Sequence, residues 1–314
     1  MIRDALGDRM KKYEAVSKTT LVSRMPVIIR LDGCHFHTFC KGFKKPFDPL
    51  FAKTMQATMK YLCENIQGCV LGYTQSDEIT LVLIDYKKLN SSAWFDNEVQ
   101  KITSVSAALA TYAFNKYFNE FYLEQLAEKG EADAYDLVYD KKRRLGAYFD
   151  SRAFNVPREE VTNCVLWRQL DAERNSVNSL AQSLFSHKEL QGLNIKDTKA
   201  KIETEKGIIW GNLPTVQKRG TCCIKEYAYE LPDGQIVKNH SYITYDNRKG
   251  NFYFDGDGFY FFPSYMDEHG GYMMSGIKLN VKERSSWILD TNIPRFIDNG
   301  RDYIENLVFP VNEE

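Results

Sequence analysis

Val27-Ile28-Ile29-Arg30-Leu31-Asp32-Gly33 is an apolar run that stops on an acid and a glycine, and Gly72-Tyr73-Thr74-Gln75-Ser76-Asp77-Glu78 leads a second acidic pair into the aliphatic run at 79–84. Both runs have the length and β-branched content of buried strands, so Asp32 stands at the exit of one strand and Asp77-Glu78 at the entrance of another. The acids then converge at one end of a sheet. Asp-Gly and Ser-Asp also make ordinary turns between strands. Two such sites with matching strand flanks, however, ask for more than a turn.

Transfer to or from a phosphoryl group is helped by two hard cations roughly 4 Å apart that stabilise the attacking and leaving oxygens together. Carboxylates on neighbouring strands suit that task. Magnesium accepts one or two carboxylates and fills its other positions with water and substrate phosphates. Asp32, Asp77 and Glu78, with the Gly33 carbonyl as a further oxygen, are a sufficient set. A palm-type polymerase places its metal-binding acids in this way, which makes nucleotidyl transfer the leading expectation.

The rest of the 314-residue sequence narrows the class. Apolar residues are 43% of the chain and aromatics 13%, enough for a sizeable core in one large domain or two. No stretch approaches the ~20 apolar residues of a membrane span, and Met1-Ile2-Arg3-Asp4 lacks the start of a secretory signal, so a cytoplasmic protein with no membrane partner is expected. Seven cysteines without paired CxxC spacing argue against a disulfide framework and a four-ligand zinc site. A net charge of −1 gives no global attraction to nucleic acid, so RNA binding would depend on local clusters such as Lys141-Lys142-Arg143-Arg144.

Along the chain, Ile2, Leu6, Met10 and Tyr13 recur at helical spacing, an apolar stripe expected to cover sheet or a partner subunit. Asp48-Pro49 opens a helix carrying Phe51, Met55, Met59 and Leu62, with Asp48 as N-cap. A strand, turn and strand follow over 65–84, then a long helix over about 96–118 whose apolar face includes Ile102, Leu109 and Phe114. A strand near 148–156 and a helix over 166–186 come next, and the charged stretch 196–206 reads as a solvated helix or linker. This order fits an α+β fold, a polymerase palm-like (ferredoxin-like) antiparallel sheet with flanking helices. Alternating Tyr and Phe around Asp255-Gly256-Asp257-Gly258 mark hairpins. The spacing of Asp255 and Asp257 begins a calcium loop without completing it, and a tight turn is expected there. The expected division is a palm-type catalytic domain with a fingers-like helical part over 1–224 and a β-hairpin-rich C-terminal extension over 225–314.

Several motifs resemble those of the tRNA(His) guanylyltransferase family, whose members add nucleotides to RNA 5′ ends in the 3′-to-5′ direction. They are Met10-Lys11-Lys12-Tyr13-Glu14, Arg30-Leu31-Asp32-Gly33-Cys34-His35-Phe36-His37, Lys45-Pro46-Phe47-Asp48 and Gln75-Ser76-Asp77-Glu78, in the family's order and spacing. Phe149-Asp150-Ser151-Arg152, Trp167-Arg168-Gln169, Lys218-Arg219-Gly220-Thr221 and Trp287-Ile288-Leu289-Asp290 extend the likeness towards the C-terminus.

The resemblance implies a palm in which Asp32, Gly33 and Asp77 bind two Mg2+ ions with Glu78 beside them. It implies that His37, Lys45, Asp48, Ser76 and Lys101 contact the nucleotide, and that Arg152, Arg168 and Asn175 contact RNA. ATP would activate the 5′-monophosphate of a tRNA, and the 3′-hydroxyl of GTP or another nucleoside triphosphate would attack that end. A homotetramer, as a dimer of dimers, is expected on the same ground, with the apolar face between Ile102 and Phe114 as one source of interface.

One departure shifts the emphasis. Where eukaryotic guanylyltransferases carry His-Ile-Asn-Asn, this chain reads Glu173-Arg174-Asn175-Ser176. The resemblance therefore points to the Thg1-like-protein branch, which repairs truncated tRNA 5′ ends by copying a template strand. Addition of a single G to tRNA(His) is the alternative, a nucleotide cyclase on a related palm is another, and a non-catalytic RNA-binding scaffold is a third from a different class.

Overall fold

The computed structural model describes residues 5–230, 236–238, 250–254, 259–263, 277–279 and 282–309. The chain divides into two compact units. One joins Met1–Ile224 to Leu289–Phe309, and the other comprises Lys225–Ile288 with Pro310–Glu314. The segment Leu289–Phe309 thus belongs with the palm side of the expected division and not with the extension.

The first unit opens with α1 (Ala5–Ala15), β1 (Val27–Gly33), the single turn α2 (Phe36–Phe39) and α3 (Pro49–Asn65). Next come β2 (Cys69–Gln75), β3 (Glu78–Leu83), α4 (Val99–Lys129), α5 (Ala134–Leu145) and β4 (Phe149–Asn155). Helices α6 (Val161–Leu184), α7 (His187–Leu190), α8 (Ile195–Lys206) and α9 (Thr215–Arg219) lead to β5 (Thr221–Glu230), which runs on into the second unit. There β6 (Ile236–Lys238) pairs with the far end of β5, while β7 (Gly250–Phe254), β8 (Phe259–Pro263) and β9 (Ile277–Leu279) form an antiparallel sheet of their own. β10 (Lys282–Asp290) returns the chain to the first unit, which α10 (Arg301–Val308) closes. The expected aromatic hairpin is β7–β8, in register from Phe254↔Phe259 to Gly250↔Pro263. Asp255 to Gly258, the expected turn, lies outside the described residues.

The main sheet has the order β10-β5-β2-β3-β1-β4, and the pairings among β1 to β5 are all antiparallel. β1 is apolar on successive residues because both its faces are covered: Val27, Ile28, Ile29 and Leu31 are all buried. One face receives α3 and α4 through an aromatic layer in which Phe36 lies 5.2 Å from Phe114 and 5.0 Å from Phe149. The other receives α6 and α10 through Val161, Val165, Phe296, Ile304 and Val308. Asp48 caps α3 as its sequence position implies, its side chain accepting from the Phe51 N–H, with Pro49 at the first helical position.

Four expectations change. The long helix starts at Val99 because Phe95, Asp96 and Asn97 all have positive φ (49°, 51° and 60°), and it runs 31 residues to a cap at Gly130 because Phe118 and Tyr122 remain buried. Its face through Ile102, Ala110 and Phe114 is this chain's own core and so is not an exposed interface. The charged stretch 196–206 is a helix, one of the two expected readings, but it is solvated only in part, since Thr198 and Ile202 turn inward against α6. On α1, Leu6, Met10 and Tyr13 are 60%, 47% and 71% exposed, so the apolar stripe does not cover the sheet.

Candidate active site at the β2–β3 turn

The hydrogen-bond register fixes the acids. Asp32 pairs across the sheet with Glu78 of β3 on one side and with Asp150 of β4 on the other. Directly opposed residues of a pleated sheet point to the same face, so three carboxylates form a row. Asp77 joins them from the two-residue turn between Gln75 and Glu78, where Ser76 has a φ of 50° and the Gly33 N–H donates to the Asp77 carbonyl at 3.1 Å. Gly33 must be glycine for a local reason: a Cβ there would stand 2.3 Å from the Phe36 ring.

The four acids are not equivalent. Burial, and then the charge of Asp150, raises the Asp32 carboxyl above its ordinary range. Burial also raises Asp77, with Asp32 adding to it, and the Ser76 hydroxyl, at 3.0 Å, offsets only part. Glu78 is raised by burial too, but Arg168 opposes the rise, its Nη1 donating to Glu78 Oε2 at 3.0 Å inside the protein. Arg168 also pairs with Asp171 at 3.1 Å and lies 3.8 Å over the half-exposed Trp167 ring, which Arg30 approaches at 5.5 Å. The protein therefore neutralises Glu78 itself, while no described basic side chain forms an ion pair with Asp32 or Asp77.

This donor set fits magnesium. Among the described residues no group of three or more acids, histidines or cysteines is gathered in ligand geometry. Two adjacent carboxylates that burial penalises as anions nevertheless match a cation that takes most of its oxygens from water and substrate phosphates.

Beside the turn lies a cleft of about 400 Å³ between α3, α6 and the α9–β5 junction, lined by Phe47, Ala52, Gln75, Ser76, Asn175 and Lys218 among others. Gly220, at a φ of +82°, lets β5 begin against β2, since a Cβ there would lie 2.3 Å from the Thr74 carbonyl oxygen.

The residues assigned by resemblance scatter. Ser76 and Asn175 line the cleft, and Asn175 also reaches Asp171 at 3.4 Å. Asp48 lines it too, but its carboxylate already accepts the Phe51 N–H (2.9 Å), the Lys44 N–H (2.9 Å) and the Tyr139 hydroxyl (2.5 Å). His37 is exposed on α2 next to the Thr38 hydroxyl, and Lys45 is exposed on a neighbouring cleft. Arg152 is exposed on β4, 3.6 Å from Asp150. Arg168 is buried against Glu78, which leaves little of it for RNA. Lys101 is not brought to the acids. It sits at the start of α4 with Glu98 (3.3 Å), at the other end of the sheet, because α4 meets β4 through Ser106–Ser151 and runs towards the acids only from there.

Sequence reasoning missed two features. Asp150 lay inside a quoted landmark, and its alternation with Arg152 on β4 was the signal that could have found it. Glu173, in place of the family's histidine, is held by Arg219 (3.3 Å) and Arg295 (2.9 Å), a contact with the chain's far end that no local pattern reveals.

A palm sheet with acids at the β1 exit and the β2–β3 turn defines the class as a nucleotidyltransferase. The family model described as tRNAHis guanylyltransferase matches residues 7–157. A solved bacterial tRNA(His) guanylyltransferase (Thg1)-like protein in complex with ATP superposes with a TM-score of 0.69 at 37% identity, over 98% of this chain and 100% of that one. A GTP complex of a protein of the same description gives 0.65 at 35%, over 98% and 100%. Protein R259 of Acanthamoeba polyphaga mimivirus is 29% identical over 72% of this chain and 79% of its own length. The Saccharomyces cerevisiae enzyme shares the fold, with a TM-score of 0.54 at 20% identity over 74% and 96% of the two chains. The chain belongs to the tRNA(His) guanylyltransferase family.

Proposed function

We propose that this enzyme adds nucleotides in the 3′-to-5′ direction to the 5′ end of tRNA, choosing each by pairing with the opposing strand, and so restores truncated 5′ ends. The observation that carries the chemistry is the pair Asp32 and Asp77, whose charge burial disfavours despite the nearby Arg152 and Arg30 and which have no ion-pair partner among the described residues, beside a nucleotide-sized cleft. Two Mg2+ ions held by Asp32, Asp77 and the Gly33 carbonyl would supply charge stabilisation to the attacking and leaving oxygens.

This chain's residues do the positioning. Ser76 on the turn and Gln75 at the end of β2 join the cleft to the acids, so a nucleotide held in the cleft would present its phosphates toward Asp77. The internally bonded Asp48 fixes the wall formed by Pro46, Phe47 and Pro49. In the first step the RNA 5′-monophosphate attacks ATP and pyrophosphate leaves. In the second, the 3′-hydroxyl of the incoming triphosphate attacks the activated phosphate and AMP leaves.

Two observations favour copying of a template over untemplated addition of one guanosine. The fuller likeness is to the bacterial Thg1-like protein, whose complexes contain ATP and GTP. In addition, the position of the family's histidine holds a glutamate committed to two arginines, a poor partner for a 5′-phosphate. Magnesium, a cytoplasmic location and a homotetramer complete the proposal.

The test is addition of labelled nucleotides to a 5′-monophosphorylated tRNA lacking its first residue, with each of the four opposing bases, beside intact tRNA(His). Incorporation that follows the opposing base supports repair. Guanosine added to tRNA(His) alone, whatever lies opposite, overturns it.

A further inference from the structure

A second cleft, of about 520 Å³, adjoins the first. We infer that it holds the single-stranded RNA next to the growing 5′ end, an inference that rests on the nucleotide-addition reading above. Helix α6 is the wall common to both clefts. Asn175, Ser176 and Ser179 face the first, and Asn178, Ala181 and Gln182 face the second. The peptide Lys45-Pro46 is the divide, with Pro46 lining one side and Lys45 the other.

The lining selects the ligand. Its polar side chains are Lys45, Asn178, Gln182, His187, Gln191 and Thr198, and no carboxylate is among them. A site for a metal ion or a cationic ligand would need acids. Amides offer donors and acceptors together, which suits base edges and ribose hydroxyls, and Lys45 supplies a charge for phosphate. Leu190 and Leu193 add an apolar surface against which a base can pack. Phe185 backs that surface from the small core it forms with Val177, Leu180 and Ile202, with Lys201 and Lys206 over its ring. Inorganic phosphate alone would leave the apolar side and most amides unused, so a nucleotide unit of a strand is the better match.

The test uses the full-length protein and tRNA carrying 4-thiouridine at successive positions near the 5′ end and the facing unpaired 3′ end. Light-induced crosslinks are expected in peptides spanning 178–193. Gln182 and Gln191 are exposed, so the double variant Q182E/Q191E leaves the core intact, and its thermal melt verifies this. The variant should weaken tRNA binding about tenfold, on the order of one stacked or bonded nucleotide. ATP binding measured without RNA should be unchanged. Unchanged tRNA affinity with no crosslink in 178–193 overturns the site, and nucleotide addition by the same preparation then leaves the functional reading standing. Crosslinking and weakened binding in a protein that adds no nucleotide would do the reverse.

Discussion

At the end of the sheet where β2 turns into β3, Asp32 and Asp77 have no ion-pairing lysine or arginine among the described residues, whereas beyond the other end Glu98 is held by both Lys18 (3.0 Å) and Lys101 (3.3 Å). Glu98 sits lower than its ordinary range because of those lysines, while Asp32 and Asp77 sit higher because of burial. One end completes its electrostatics within the chain, and the other leaves them for something that arrives. Glu78 shows that completion was open to the acidic end as well, since Arg168 reaches it.

The hardest blow to this contrast is Asp77→Ala. Nucleotide addition should fall at least a thousandfold, of the order seen when transition-state charge stabilisation is removed, while tRNA affinity stays within about threefold. Near-normal addition would mean that the acid pair is not the centre. Next comes the acid the protein neutralises itself. Glu78→Gln leaves Arg168 buried with Asp171 alone, and urea denaturation should show a loss of about 3 kcal/mol, the scale for breaking a buried pair. Tyr139→Phe is milder. It removes one of three donors from Asp48, which should cost about 1–2 kcal/mol and raise the KM for ATP more than it lowers kcat.

A pH experiment probes the same contrast from the stability side. Raised folded carboxyls keep their protons to higher pH than unfolded ones, so in the presence of a chelator the native state should lose stability as pH rises from about 4 through those raised values. Asp77→Asn should flatten that decline and melt higher than the parent at neutral pH. An equally steep decline in the variant would show that Asp77 carries no such penalty. The smallest effect belongs to the paired end: Lys101→Ala should change stability by less than about 0.5 kcal/mol, because one exposed partner is lost and Lys18 remains.

The strands were readable from sequence because β1 and β3 are covered on both faces and so spell continuous apolar runs. The acids were readable because they end those runs. Asp48 as a cap was local information as well. What stayed hidden depended on distant segments meeting. The tie of Tyr139 to Asp48 spans 91 positions and that of Arg168 to Glu78 spans 90. The motif containing Asp48 therefore suggested a ligand contact where the fold has already used the carboxylate. The place of Lys101 was hidden for another reason, since a helix of 31 residues reaches both ends of the sheet and spacing alone does not say which end a residue lies at. On α1, helical periodicity reports an apolar face but not whether the sheet or a partner subunit covers it, and the sheet does not.

The core beneath the palm sheet is completed by Phe296, Ile304 and Val308, residues from the last twenty or so of the chain, although the strands they cover were laid down before residue 85. During synthesis the β1–β3 framework leaves the ribosome long before this cover does. A nascent chain that has not yet reached Phe296 therefore shows its apolar sheet face to the chaperone machinery.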